Sequence, residues 1–393
     1  MTSAGSRIAA PRPSVPDDED FFATPTYSGW VRGTIRAAEA NPDSAILFSS
    51  SISEPTDELA TLMRDAFSHS VTSRYTSVFS DGNKYVTGAI CSRYSVRPEQ
   101  VLTTTGVTSA LSMIAKAVVR PGDRVAIETP GFDLLSIIAR EAGAQVDLFE
   151  RIGPHFRIDA EKLAGRLDAR TRLVILTNLH NPSGAELRPE EIDAVAKEAS
   201  RVGAILVVDE VYADFMRPKF TAPAAVLAPN IISVNSLTKV FGLHALKCGW
   251  MIGAPELLEK IQRFAPDGDF GISKLSHAIA AHVLESSRLF DQRWQKILDH
   301  TGPILKSHVE AMTTDGLISG NIPEYGCMYF PEVIGHPNTL ALTRSLWENH
   351  RILVAPGEYF GLKGHLRVGF GNDADELDEG LARLHRALLE LRR

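Results

Sequence analysis

Four places in this chain of 393 residues put polar side chains directly after apolar runs. One is Thr177, Asn178, Leu179, His180, Asn181, Pro182, Ser183 and Gly184. A second is Asp209, Glu210, Val211 and Tyr212, following Val207 and Val208. The third is Ser236, Leu237, Thr238 and Lys239, ahead of Val240, Phe241 and Gly242, and the last is His365, Leu366 and Arg367. Asn181, Asp209 and Lys239 follow one another at intervals of 28 and 30 residues. A lysine acts as a nucleophile only where desolvation or nearby positive charge leaves its amine neutral. Ser236 and Lys239 also fit Ser-x-x-Lys, a serine-acylase motif, but the Ser-Asp-Asn and Lys-Thr-Gly elements that accompany it are missing. Gly106, Val107 and Thr108 stand between a strand-like and a helix-like segment, where free N–H groups and the positive end of a helix suit a phosphate.

The elements that must carry these groups alternate regularly from about residue 100. Strands are expected at 100–104, 124–128, 145–149, 173–177, 204–209, 231–234 and 249–252, with helices at 107–119, 134–142 and 189–201. Short β-branched runs separated by helical segments predict an α/β fold whose mostly parallel sheet is covered on both faces. Such sheets bind ligands at the carboxyl ends of their strands, where the polar groups fall. Beyond residue 276 the rhythm changes to long helical stretches over about 276–311, strands at 328–330, 352–355 and 365–370, and an amphipathic helix at 375–391. This pattern predicts a large domain over 60–290 and a smaller α+β domain built from both chain ends, 21–59 with 291–393. The segment 24–58 is expected to pack on the smaller domain and bury Trp30, Ile46 and Phe48. Residues 1–20, rich in Ser, Pro and acid, read as a disordered lead-in.

Composition narrows the class without naming a reaction. With 44% apolar and 23% charged residues the chain builds a core without disulfides or metal. A net charge of −7 argues against nucleic acid or an anionic membrane as partner. No run approaches the roughly 18 apolar residues of a membrane span. Cys91, Cys248 and Cys327 lie far apart and read as reduced thiols, and the N-terminus lacks a signal peptide's apolar stretch, so the expected location is cytoplasmic.

From about Tyr75 to the C-terminus, Asn181, Asp209, Lys239 and Arg367 together resemble the fold-type-I pyridoxal-phosphate (PLP) enzymes of the class I/II aminotransferase family, aspartate aminotransferase among them. The resemblance implies a three-layer PLP-binding large domain and a cofactor, pyridoxal 5'-phosphate. Lys239 would form the Schiff base and carry the substrate proton. Asp209 would pair with the pyridinium nitrogen, and Asn181 and Tyr212 with the ring's phenolate oxygen. Gly106, Val107, Thr108 and Ser236 would hold the phosphate, and Phe132 would stack on the ring. Arg367 would clamp the substrate α-carboxylate with two bonds, beside Asn181. Tyr75, and the loop near Ser273, would reach the phosphate from a neighbouring subunit, making a homodimer with shared active sites.

Three departures accompany the resemblance. Lys247 stands where the family has a phosphate-gripping arginine; it keeps the charge but not the fork. His244 and Ala245 replace a Pro-Gly pair. Ser53, Glu54 and Pro55 replace a Gly-x-Pro element, so Ser53 crowds a backbone approach to substrate. Glu54 and Asp57 read as a solvated acidic loop. The implied reaction is transfer of an amino group between an amino acid and a 2-oxo acid. The alternative is a specialised lyase, cyclase or β/γ-replacement enzyme on the same scaffold. Side-chain specificity is assigned to loops at 27–33 and 270–276.

Overall fold

The computed structural model describes residues 20–67, 74–76, 82–220, 222–264 and 273–392. The expected disordered lead-in, apart from Asp20, lies outside them, as do residues 270–272 of the second specificity loop.

Eight strands form the large sheet: β1 Val101–Thr104, β2 Arg124–Thr129, β3 Gln145–Ile152, β4 Arg157–Ile158, β5 Thr171–Thr177, β6 Ile205–Asp209, β7 Ile231–Ser236 and β8 Gly249–Ile252. Their order across the sheet is β1-β8-β7-β6-β5-β2-β3-β4. β7, β6, β5, β2 and β3 run parallel. β8 lies antiparallel to both its neighbours, and β4 folds back on β3. Every residue of β6, β7 and β8 is buried, as strands covered by helices on both faces must be. Successive side chains serve opposite faces: Val207 packs with Leu111 and Ile114 of helix Val107–Val118, and Val208 with Val195 and Ala199 of helix Pro189–Arg201.

Register is what positions the site. Thr177 stands opposite Asp209, Asp209 opposite Val234, Ser236 opposite Gly249, and Gly249 opposite Thr104. The polar ends of β5, β6 and β7 therefore lie side by side, with the turn after β1 next to them.

Both chain ends build the remaining structure. Ile46–Leu47 pairs in parallel with Ile352–Leu353, while Met328–Tyr329 and Ala355–Pro356 flank Leu366–Gly369 antiparallel. Helices Ser287–Thr314 and Ala374–Leu391 cover them, burying Phe48, Leu305, Val309, Val368 and Leu381. Ile46 and Phe48 are buried as expected. Trp30 is buried too, in an aromatic cluster with Phe22, Phe330, Tyr359 and Phe360.

Local differences from the sequence reading have simple causes. The helical stretches expected over 276–311 are two helices, Lys274–Glu285 and Ser287–Thr314, parted where Ser286 leaves helical geometry at φ −99° and ψ 20°. β3 runs on to Ile152 and turns through Gly153, at φ 70°, into β4. Residues 27–33 belong to helix Tyr27–Ala40, capped by the Thr26 hydroxyl, and are not a loop. Among the described residues no helix is long and apolar enough to cross a membrane.

The C-terminal strands meet the N-terminal segment at Gly369, where an added Cβ would stand 1.9 Å from the Ser49 carbonyl oxygen. Gly369→Ala is therefore expected to cost about 1–3 kcal/mol as an overpacking substitution. Thermal unfolding checks this; an unchanged midpoint would mean that the Ser49 segment yields freely.

Candidate active site

Lys239 follows β7 in a turn held on several sides. The Leu237 N–H donates to the Cys248 carbonyl at 3.1 Å, and the Leu243 N–H to the Leu237 carbonyl at 3.0 Å. Gly242, at φ 71°, passes so close to the Ser53 carbonyl that a Cβ would stand 2.6 Å from it. The Ile52 N–H donates to the carbonyl of Lys239 itself at 3.1 Å. The Lys239 side chain keeps partial access to solvent, and Nζ lies 6.0 Å from the centre of the Tyr212 ring. Burial of the ammonium, with Arg367 adding like charge, lowers its pKa to about 8. A minor but substantial part of the amine is then neutral near physiological pH, against almost none for an ordinary lysine.

Asp209 ends β6 and is buried. Burial raises its pKa to about 7 against a 3.2 Å hydrogen bond from the Val211 N–H, and the charge of Glu128 adds to the rise. The Val211 N–H donates the one hydrogen bond to this carboxylate among the described residues, which makes it a fitting partner for a protonated ring nitrogen. Tyr212, fully buried, donates its hydroxyl to Ser50 Oγ at 3.3 Å. Burial pushes its phenol well above the ordinary range.

Arg367 reaches the same place from Leu366–Gly369. Its Nη1 donates to Asn181 Oδ1 at 2.8 Å, and its Nη2 donates to the Tyr27 hydroxyl. The guanidinium carbon lies 4.8 Å from the ring centres of both Tyr27 and Phe360. Nε is buried without a partner, an orphaned donor on a side chain only 2% exposed. Such a donor calls for an anionic acceptor, and a carboxylate suits the planar fork. Phe132 stands close by, edge-on to Tyr27 at 5.7 Å.

The turn after β1 makes an anion cradle. Gly106, at φ 97°, caps helix Val107–Val118 with no side-chain cap, leaving the first N–H groups of the helix free of one. A Cβ on Gly249 would meet Gly106 Cα at 2.7 Å, so the two glycines let β8 and the turn approach closely. Thr108 lies exposed in the first turn. Ser236 is buried, and its Oγ accepts from the Thr238 N–H at 3.3 Å. That buried hydroxyl is poorly placed for the nucleophilic role of a serine acylase.

The remaining candidates are exposed on the chain. Lys247 is exposed, in left-handed geometry at φ 47°. Tyr75 is 42% exposed. Ser53 Oγ accepts from Arg293 Nη2 at 3.1 Å and its carbonyl accepts from Arg293 Nη1 at 2.7 Å, which ties it to the long helix. Glu54 and Asp57 are exposed, in keeping with a solvated loop and helix start. Sequence reasoning missed Tyr27, Ser50 and Phe360. Thr26 ahead of Tyr27 is the helix-cap signal that places that aromatic at a helix start.

A free-donor phosphate cradle, a buried carboxylate, a neutralisable lysine and an arginine with a spare donor fit PLP and an amino-acid carboxylate together. Residues 37–384 match the family described as aminotransferase class I and II. The chain belongs to that family. Its cofactor is pyridoxal 5'-phosphate. Capreomycidine synthase of Streptomyces vinaceus is 31% identical over 316 residues, 78% of this chain and 79% of that protein. Aspartate aminotransferase of Streptomyces avermitilis is 26% identical over 320 residues, 76% of each. Among solved structures, the PLP-dependent cyclase OrfR superposes with a TM-score of 0.81 at 25% identity, covering 97% of this chain and 100% of that one.

Within this PLP enzyme the arginine fork makes a specific prediction. Arg367→Lys keeps the charge but not the planar pair of donors. The KM for amino acid should rise on the order of tenfold, about 1.4 kcal/mol, with the visible spectrum of the bound cofactor unchanged. Steady-state kinetics beside the spectrum tests this, and an unaltered KM would remove Arg367 as the clamp.

Proposed function

We propose that this PLP enzyme removes the α-proton of a free amino acid and completes a transamination, passing the amino group to a 2-oxo acid. The observation that carries the reading is the convergence of Lys239, Asp209 and the Asn181–Arg367 pair, from β5, β6, the turn after β7 and the C-terminal sheet. PLP, when bound, supplies an electron sink for charge developing at Cα. Arg367 holds the α-carboxylate through its free Nε and the Nη atoms, and Tyr27 and Phe360 screen the guanidinium from water. Lys239 Nζ would anchor the cofactor and move the Cα proton. Asp209 would keep positive charge on the ring nitrogen. Asn181 and Tyr212 would orient the ring, and the Gly106 turn, with Thr108 and Ser236, would take the phosphate. Phe132 would stack on the ring. Arg367 reads only a carboxylate, so the amino-acid side chain is selected elsewhere.

A second reading rests on a specific observation: one relative is named for capreomycidine synthesis and one matching structure is a cyclase. The same proton transfer at Lys239 would then serve elimination and ring closure. The purified holoprotein, given a panel of amino acids without any 2-oxo acid, separates the two. One equivalent of 2-oxo acid per site, with conversion of the cofactor spectrum, is expected for transamination. Repeated turnover without an acceptor would replace it with the second reading.

The chain is further proposed to work as a cytoplasmic homodimer, with Tyr75 and the segment at Ser273 completing the partner's phosphate site. Sedimentation of the holoprotein at single-chain mass would end that part of the proposal. Lys239 also sets a pH dependence. The neutral amine grows as pH rises through about 8, so the rate at which apoprotein takes up PLP should climb with its midpoint near that pH and level off above it. Arg367→Met, which removes the neighbouring like charge, should move the midpoint upward. Stopped-flow absorbance follows both, and a flat profile would mean that Lys239 is not the group titrating.

A further inference from the structure

Beneath the site lies an ion pair that the mechanism does not use. Glu128, in β2, and Arg151, in β3, have fully buried side chains, with Arg151 Nη2 2.6 Å and Nε 2.7 Å from Glu128 Oε2. What remains of both groups is spent largely on one residue of the next strand. Glu128 Oε1 accepts from the Thr177 N–H at 2.8 Å and from its hydroxyl at 2.6 Å. Arg151 Nη2 donates to the Thr177 carbonyl at 2.6 Å. Donor, acceptor and hydroxyl of Thr177 are thus all held by a single ion pair.

Thr177 passes this constraint on. Its hydroxyl proton goes to Glu128, leaving Oγ1 to accept the Asn181 N–H at 3.0 Å. Asn181 Oδ1 in turn accepts from Arg367 Nη1 at 2.8 Å. Thr177 also stands opposite Asp209 in the sheet, and the next N–H, that of Asn178, donates to the Asp209 carbonyl at 2.8 Å. A buried ion pair contributes little stability that a well-packed apolar pair would not match. Its value here lies in geometry: it pins a strand end from which one hydrogen-bond chain runs to the arginine clamp.

We propose that Glu128 and Arg151 form a positioning pair that, through the Thr177 hydroxyl, fixes Asn181 and with it the direction in which Arg367 meets the substrate carboxylate. Neither member of the pair touches substrate. The proposal rests on Arg367 being the carboxylate clamp.

Thr177→Val tests it, because valine keeps the shape and removes the hydroxyl that joins Glu128 to Asn181. The probe is 2-aminoisobutyrate, which has a carboxylate and an amine but no α-hydrogen, titrated by the visible absorbance of the holoprotein. Its Kd should rise on the order of tenfold in Thr177→Val. The KM for the amino acid turned over should rise in parallel and kcat should fall less, while Thr177→Ser restores both. An unchanged Kd in Thr177→Val overturns the proposal. So does a Thr177→Ser protein as impaired as Thr177→Val, since packing and not the hydroxyl would then be at work. If Arg367→Lys leaves binding of 2-aminoisobutyrate intact, the clamp itself is wrong and the pair falls with it. A weakened Thr177→Val beside an intact clamp test cannot arise from that cause.

Discussion

Burial of opposite charges at neighbouring strand ends is the constraint on which this site depends. The same desolvation moves Asp209 up from 3.8 to about 7 and Lys239 down from 10.5 to about 8. Two groups that in water would be fully ionised at neutral pH are brought within about one unit of each other. A carboxylate poised in this way gains by meeting a cationic ring nitrogen, and an amine poised in this way is available for attack and for proton transfer. Parallel strands in register supply the burial: β6 and β7 are covered on both faces, so whatever follows their last apolar residue leaves water without leaving the cleft.

Arg367 imposes the second condition. It arrives from the C-terminal sheet, yet its hydrogen bonds go to Asn181 after β5 and to Tyr27 at the start of the first long helix. The site is therefore whole only when both chain ends are packed on the large sheet. The close passage of Gly369 beneath Ser49 and of Gly242 beneath Ser53 shows how little space that packing leaves. The serines between them are part of the same seam. Ser50 receives the Tyr212 hydroxyl, and Ser51 Oγ lies 3.2 Å from His244 Nε2 in the turn after Lys239.

Much of this was legible in the sequence because strand-end chemistry is local. Apolar runs ending in Asn181, Asp209 and Lys239 announce both the strand and the group at its mouth. The alternation of a strand also separates Asp209 from Glu210, though sequence alone shows two adjacent acids. Glu210 Oε1 accepts the Ala224 N–H at 2.9 Å, whereas Asp209 accepts the Val211 N–H at 3.2 Å. What could not be read joins residues far apart in the chain. Tyr27 and Arg367 are 340 residues apart, Tyr212 and Ser50 162, and Glu128 and Thr177 49. No local pattern encodes such pairs, and tertiary packing alone decides them.

Lys247 shows where the family pattern and this chain part. A lysine in left-handed backbone geometry, exposed, offers one point charge on a flexible stem and no fixed pair of donors. On the proposed reading, phosphate recognition would fall more heavily on the backbone. The uncapped start of helix Val107–Val118 supplies N–H groups whose direction is set by Gly106, and Gly106 is in turn held by the Thr104 hydroxyl, which donates to its carbonyl at 3.0 Å. Gly249 permits that arrangement by having no side chain to fill the space beside it. On the proposed reading, orientation of the anion would be a property of the turn, with Lys247 contributing charge alone.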